Sequence, residues 1–289
     1  MANRYFERMV IGLPKGAVNR PSIRAAADLA EFLNIELIGA FIADANLRSL
    51  IGLPGRELRI ADLQWQPIDL TSVPGNLEYL IDFARNYFAE SVDRRTVKTS
   101  FEVIEDTHVI GSLIRQNDIV AVIEPAHPGE RITQQFTALL DAAFKKSASI
   151  LVIPRRILHS RGPIAAVAAS GDDASISAAI EIANALNERL LVATQPGISL
   201  SAEIFASASR RGVEVEQIVA DVRVADAQAR THLLSRLKGR LHVISRSRRA
   251  DLDEPFLATG GVPMLVVEAH RADLTGVPEK ESVDQIEQG

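Results

Sequence analysis

The chain has 289 residues, of which 47% are hydrophobic and 24% are charged, and its formal net charge at pH 7 is −5. This balance is typical of a soluble globular protein, excludes a disordered chain, and makes nucleic acid an unfavourable partner. The sequence contains no cysteine, which excludes disulfide bonds, thiolate metal sites and cysteine nucleophiles.

The first half of the chain alternates apolar runs with amphipathic segments. MVIGLP at 9–14 predicts a buried strand, the segment 15–21 predicts a turn, and SIRAAADLAEFLN at 22–34 predicts a helix with one apolar face. IELIGAFI at 35–42 predicts the next strand. The other elements predicted here are helices at 76–92, 107–116 and 132–146 and strands at 100–104, 118–123 and 149–153.

The second half repeats this order of elements. Its predicted strands are 163–169, 189–194, 213–219, 240–245 and 262–268, and its predicted helices are 173–187, 199–211 and 225–238. Apolar strands that alternate with amphipathic helices pair in parallel, because each crossover helix covers a face of the sheet. The predicted fold class is therefore α/β, with two doubly wound, five-stranded parallel sheets in tandem.

The two halves also share residue identities. Segments 22–41 and 175–194 align without a gap at an offset of 153 residues and share nine identities in twenty, where chance supplies about one or two. The alignment predicts a duplicated domain at 1–154 and 163–269, followed by a disordered polar tail at 270–289. The identical pairs are Ser22/Ser175, Ile23/Ile176, Ala25/Ala178, Ala26/Ala179, Ala30/Ala183, Leu33/Leu186, Asn34/Asn187, Leu37/Leu190 and Ala40/Ala193.

The connection between the halves, 155–162, is too short for independent tumbling, so the two sheets are expected to pack together. One continuous sheet, or antiparallel pairing that dominates either half, would contradict the duplication. The first half also contains an insertion, 43–75, that the second half lacks. Its apolar residues either cover the end of their own sheet or form a lid or partner surface.

The resemblance of the chain to a known family rests on its opening and closing segments. These are VIGLPKGAVNRPSIRAAADLAEFLN with SASILVIPR, and IAAVAASGDDASISAAIEIANALNERLLVA with GGVPMLVVE. Over roughly 8–154 and 163–268 the pattern resembles tandem universal stress proteins. The resemblance implies Rossmann-like domains that meet through their last strands as an intramolecular pseudo-dimer, with a homodimer as the alternative. It also implies a stress-response or regulatory binding protein.

Many members of this family bind ATP through an acidic residue closing the first strand and a motif G-x2-G-x9-G-(S/T) after the fourth. Glycine lets the backbone N–H groups approach phosphates closely at a helix N-terminus. After the fourth strand of the first half the only glycine is Gly129, and Ile132 stands three residues later. In the second half, sixteen residues separate Ser245 from Val262, and Ser170 replaces the acid. Both ATP sites are therefore expected to be degenerate.

Ligands of open parallel sheets bind beyond the carboxyl ends of the strands, where strand order reverses. This rule predicts two crevices, Lys15–Asn19 with Glu124–Arg131 and Ser170–Asp173 with Ser245–Arg249. Asp173 and Asp172 precede the Ala-rich helix, where aspartate is typical of an N-cap. The arginines of the second crevice could hold an anion there, whereas in the first crevice Glu124 and Glu130 would repel phosphates and Arg131 and His127 could partly offset that repulsion. The candidate binding residues are Ser170, Gly171, Asp172, Arg246, Arg248, His127, Gly129 and Arg131.

No catalytic or metal motif is present in the sequence. The six histidines show no i, i+4 ligand pair, His242 is expected in a strand core, and no nucleophile elbow or Walker loop occurs. The leading hypothesis is a regulatory binding protein without enzymatic activity or cofactor, with a protein or small ligand as partner. A switch that binds ATP or AMP through other contacts is the alternative, and an α/β nucleotide hydrolase is a third.

The N-terminal segment MANRYFERMVIG carries Arg4, Glu7 and Arg8, and nowhere do 18 apolar residues follow one another. Neither a signal peptide nor a membrane-spanning helix is predicted, so the membrane is not expected as a partner. The default expectation is a cytoplasmic location.

Overall fold

The computed structural model describes most of the two predicted sheets. The described residues are 5–13, 20–43, 56–59, 64–67, 73–104, 109–124, 134–220, 233–234, 236–246 and 261–268. None of their helices is long and apolar enough to cross a membrane. The predicted tail and most of the predicted helix at 225–238 lie outside these residues.

The elements of the first half follow the predicted order, with one addition. They are β1 Arg8–Leu13, α1 Arg20–Leu33, β2 Glu36–Ile42, β3 Arg56–Arg59, β4 Gln64–Pro67, α2 Val73–Val92, β5 Thr99–Ile104, α3 Ile110–Leu113, β6 Asp118–Ile123, α4 Gln134–Lys145 and β7 Ser149–Ile153. The addition is the antiparallel pair β3–β4 inside the insertion, where Leu58 stands opposite Trp65. The pattern of residues 43–75 predicted no strands there, because four-residue strands give too short a pattern to recognise.

The second half is shorter and keeps the same order. Its elements are β8 Ile164–Val167, α5 Ala174–Leu186, β9 Leu190–Thr194, α6 Ala202–Arg210, β10 Val215–Val219, β11 Leu241–Arg246 and β12 Met264–Glu268. Three of them, β9, α5 and β11, lie within one residue of the predicted bounds. The strand β11 extends one residue beyond its predicted end and includes Arg246.

Within the described residues, the strands other than β3 and β4 form one ten-stranded sheet in the order β10-β9-β8-β11-β12-β7-β6-β1-β2-β5. Within each half the neighbours are parallel and run third, second, first, fourth, fifth in chain order. The α/β fold class is confirmed. The helices supply the crossover connections that parallel neighbouring strands require.

The halves join through their last strands, β7 and β12, which pair antiparallel over three residues. The sheet is therefore continuous, and the expectation that continuity would contradict a duplication was wrong. Two complete five-stranded units that pair edge to edge also give a continuous sheet. Such pairing is favourable because the edge of each fifth strand would otherwise leave backbone groups unpaired. The bounds of the two domains stay a prediction.

The repeated residues adopt repeated geometry. Helices α1 and α5 both end at an asparagine in the left-handed region, Asn34 with φ 52° and Asn187 with φ 51°. The amide after each asparagine donates to the carbonyl of a repeated alanine, at 3.0 Å on Ala30 and 2.9 Å on Ala183. Asparagine is among the few residues that tolerate this conformation, so both helix ends depend on the same residue type.

The core lies on both faces of the sheet, because successive strand residues point to opposite sides. On one face, α1 and α5 cover a shared core that includes Leu151 of β7 and Leu265 of β12. On the other face, α4 packs over a second core that includes Val152 of β7. Apolar side chains of both halves thus pack together across the junction between the halves. We call the β7–β12 strand pair and the side chains packed on its two faces the seam.

Candidate functional site

The second-half crevice lies between the carboxyl ends of β8 and β11. Asp173 caps α5, and its carboxylate accepts a hydrogen bond from the Ser175 amide at 2.9 Å. The same carboxylate accepts from the Ala169 amide at 2.9 Å and from the Ser245 hydroxyl at 3.0 Å. Asp173 is only 8% exposed. One buried side chain therefore joins the turn after β8, the start of α5 and the end of β11.

The Asp173 carboxylate occupies the position where a helix N-terminus offers its amides to an anion. The amides of Ala169 and Ser175, which could serve a phosphate there, already donate to Asp173. A phosphate in this place would also meet the negative charge of the carboxylate. The N-cap role expected for an aspartate here is confirmed for Asp173, whereas its bond to Ser245 was not predicted.

Gly171 brings two loops of the second half into close contact. A Cβ atom added to it would lie 2.2 Å from the backbone oxygen of Ser199, and the Ser201 amide lies 3.5 Å from the Gly171 oxygen. The glycine is thus required where the β8–α5 turn meets the loop before α6. This packing role accounts for Gly171 without a bound anion.

Ser170 and Asp172 are exposed on the outer side of the same turn. The Ser170 hydroxyl donates to the Asp172 carboxylate at 2.7 Å, and this hydrogen bond lowers the pKa of Asp172. Because the serine hydroxyl already serves a carboxylate, the pair presents negative charge to solvent. Neither side chain contributes a cation to the crevice.

The side chain of Arg246 does not line this crevice. It is 1% exposed, donates to the Ala148 oxygen at 3.1 Å, and lies 3.3 Å from the Glu268 carboxylate. Its guanidinium carbon stands 4.5 Å from the centre of the Phe144 ring. Adjacent strand residues face opposite sides, so Ser245 points to Asp173 and Arg246 points to the seam on the α4 side. The expectation that Arg246 faces Ser170 is corrected accordingly.

The other candidates, Arg248, His127, Gly129 and Arg131, lie outside the described residues, as does 15–19 of the first crevice. The described edge of that crevice is Glu124. Its amide donates to the Ile153 oxygen at 2.8 Å, and its own oxygen accepts from the Arg155 side chain at 3.0 Å. The backbone of Glu124 therefore belongs to the end of the sheet.

Metal ligands are not grouped in the part of the chain that the structure describes, where no three His, Asp or Glu side chains could hold an ion together. His242 lies in the core, as the sequence predicted, with Nε2 3.1 Å from the Leu237 oxygen. Burial lowers the pKa of His242, because a charged imidazolium loses its hydration there. The histidine is therefore a neutral core residue.

Comparison with known proteins gives matches to solved structures alone. No family model matches the chain, and no curated protein sequence matches it. A universal stress protein from Archaeoglobus fulgidus DSM 4304 superposes with a TM-score of 0.58 at 10% identity, over 92% of this chain and 98% of that one. The chain has the fold of universal stress proteins.

A second solved structure, a protein of unknown function from Pseudomonas aeruginosa PAO1, has a TM-score of 0.51 at 14% identity. The match covers 93% of this chain and 95% of the Pseudomonas chain. Both neighbours match across the two halves of the ten-stranded sheet. At such low identity the likeness concerns the universal-stress-protein fold and does not extend to ligands.

Proposed function

We propose that this chain is a stress-response or regulatory binding protein built on the universal-stress-protein fold, and that it has lost ATP binding of the family type. The observation that supports the proposal is the Asp173 carboxylate between β8 and β11, with Ser245 as its hydrogen-bond donor. In this account the second-half crevice is closed by the protein's own side chains. The protein acts by binding a protein or a small ligand, without catalysis.

The closure has both an electrostatic and a steric part. The anion-binding amides at the start of α5 are capped by Asp173, and a phosphate would have to displace that carboxylate. Gly171 packs against the Ser199 backbone, so the turn cannot move inward to provide new amides without a clash. Neither part requires a ligand to hold it in place.

The proposal is tested by isothermal titration of ATP and of ADP, each with Mg²⁺, into the full chain. We expect no saturable heat up to about 1 mM nucleotide, which corresponds to less than about 4 kcal/mol of binding free energy. The variant Asp173→Asn retains a capping side chain and removes the charge. Binding that appears only in this variant would support closure by the carboxylate, whereas saturable binding to the unaltered chain would contradict the proposal.

The proposal includes a single chain as the working unit. The antiparallel β7–β12 pair and the shared core already join two five-stranded units edge to edge. We therefore expect a monomer of 31.4 kDa on a sizing column with light scattering, and we propose separately that the protein is cytoplasmic. A mass near twice this value would support the homodimer alternative instead.

A further inference from the structure

Helix α2 of the first half has two apolar faces. One face packs against the sheet through residues such as Ala84 and Phe88, which are buried. The other carries what we call the aromatic stripe, which consists of Tyr79, Phe83 and Tyr87 at i, i+4 and i+8 spacing. Successive rings of the stripe lie 6.4 and 5.9 Å apart between their centres. Tyr79 is 69% exposed and Phe83 is 46% exposed, which is typical of a surface that binds a partner.

The fold itself does not require the aromatic stripe. Helix α6 corresponds to α2, since each helix lies between the second and the third strand of its half of the ten-stranded sheet. Helix α6 has nine residues where α2 has twenty, and its sequence AEIFASASR contains a single aromatic residue, Phe205. The second half thus forms its part of the sheet without such a stripe, so the stripe is a separate property of the first half.

One end of the stripe already binds an arginine of the same chain. The guanidinium carbon of Arg20 lies 4.9 Å from the centre of the Tyr87 ring, and the guanidinium donates a hydrogen bond to the Glu90 carboxylate. The ring and the carboxylate are three residues apart in α2, and together they hold the arginine by a cation–π contact and an ion pair. We call a tyrosine and an acid at this spacing an arginine-binding pair.

The same spacing recurs about two turns earlier in α2. Tyr79 and Asp82 are three residues apart, as are Tyr87 and Glu90, and all four line one groove of about 390 Å³. Within the described part of the chain, no cation stacks on the Tyr79 ring. Asp82 lies 2.8 Å from Arg85, but both side chains are more than half exposed, so a partner can replace this weak pair. With three acids and one arginine, α2 favours a cationic partner.

We propose that the aromatic stripe docks an arginine-bearing amphipathic segment of a partner protein. An arginine of that segment stacks on Tyr79 and pairs with Asp82, and a neighbouring apolar side chain covers Phe83. Arginine suits this place better than lysine, because its planar guanidinium stacks on a ring while it pairs with a carboxylate. This contact supplies a surface and a partner chemistry for the binding role proposed above, on which it rests. Saturable ATP binding would contradict the proposed loss of the nucleotide site and would leave this contact unchanged.

The probe for this surface is a blocked, alanine-based helical peptide that carries arginine and leucine alternately along one face, titrated into the full chain by calorimetry. We expect saturable binding with a dissociation constant on the order of 0.1 mM, which weakens as the salt concentration rises. Replacement of each arginine by the neutral citrulline is expected to weaken binding at least about tenfold, and replacement by lysine about threefold. No saturable binding of the arginine peptide would overturn the proposal, as would equal binding of the citrulline or the lysine peptide.

Two pairs of variants locate the contact. Tyr79→Ala is expected to weaken binding of the arginine peptide about tenfold, whereas Phe205→Ala removes an exposed ring from α6 and leaves binding unchanged. Asp82→Asn keeps the shape of the side chain without its charge and is expected to weaken binding about fivefold, whereas Asp93→Asn, an exposed acid just beyond α2, has no effect. All four residues are exposed, so each variant should keep the circular dichroism spectrum of the unaltered chain.

Binding by Tyr79→Ala or Asp82→Asn that is as tight as that of the unaltered chain would show that the peptide binds elsewhere and would overturn the proposal. A sizing column with light scattering tests a second copy of the chain as the occupant. If the unaltered chain were a dimer that Tyr79→Ala made monomeric, the stripe would pair with its own copy, and the assignment to an arginine-bearing partner would be wrong.

Discussion

The clearest energetic prediction concerns Asp173, whose carboxylate accepts three hydrogen bonds at the second-half crevice. Substitution by alanine removes the N-cap of α5, which costs about 1 kcal/mol in helices generally. It also leaves the Ala169 amide without its acceptor, but Ala169 is exposed and water can partly replace the carboxylate, so the added cost is about 1 kcal/mol. The Ser245 hydroxyl is partly exposed and can turn to water, so its loss adds little.

These contributions are not additive, because one carboxylate makes all three bonds and water enters the space that it leaves. We expect Asp173→Ala to lower the free energy of unfolding by about 2 kcal/mol, within a range of about 1 to 3. Urea denaturation followed by circular dichroism measures this loss, provided that the dependence on urea concentration keeps its slope.

The matched control is the neighbouring Asp172→Ala, because Asp172 is exposed and bonds only the Ser170 hydroxyl among the described residues. Its denaturation midpoint should equal that of the unaltered chain. If Asp173→Ala cost less than about 1 kcal/mol, or no more than the control, then Asp173 would not hold the crevice closed.

Three further predictions follow from the described contacts. Gly171→Ala should lower the free energy of unfolding in urea by about 2 kcal/mol or more, because the added Cβ clashes with the Ser199 oxygen. The control Gly111→Ala, with open space around it, should be neutral or stabilising. Equal effects of the two substitutions would contradict the packing role of Gly171. Arg246→Ala should cost about 3 kcal/mol by breaking a buried pair, and a loss below about 1 would contradict its place in the seam. Burial lowers the pKa of His242 in the folded chain below 6.5, so the contribution of the neutral imidazole to the free energy of unfolding should be fully present above pH 6.5. As the pH falls from 6.5 towards the folded pKa, the free energy of unfolding should decrease by up to about 1.4 kcal/mol per pH unit. In the variant His242→Gln the free energy of unfolding should depend less on pH below 6.5. An unchanged dependence on pH would contradict the assignment of this effect to His242.

The sequence predicted the sheet well because the signals for it are local. Buried parallel strands appear as apolar runs such as DIVAVI and SILVI, and their predicted bounds agree with β6 and β7. The repeated Asn34 and Asn187 mark the ends of α1 and α5, since their backbone conformation excludes most other residues. Both signals depend on residues that are close in the chain.

The crevice was predicted less well because its contacts depend on which face of a strand each residue occupies. Ser245 and Arg246 are adjacent in β11, so they could not both face Asp173, and this alternation was available in the sequence. The close approach of Gly171 to Ser199 joins two loops and has no local pattern. A cavity under the connection between the halves needed the structure as well, because its lining comes from α1, α5, the connection, β7 and β11.

The most direct test of the account is mass spectrometry of the small molecules that leave the purified, denatured full chain. We expect ATP, ADP and AMP to be absent above the level found with an unrelated control protein, because Asp173 and Gly171 close the second-half crevice without a ligand. A release of about one nucleotide per chain would contradict the loss of family-type ATP binding and favour the nucleotide switch.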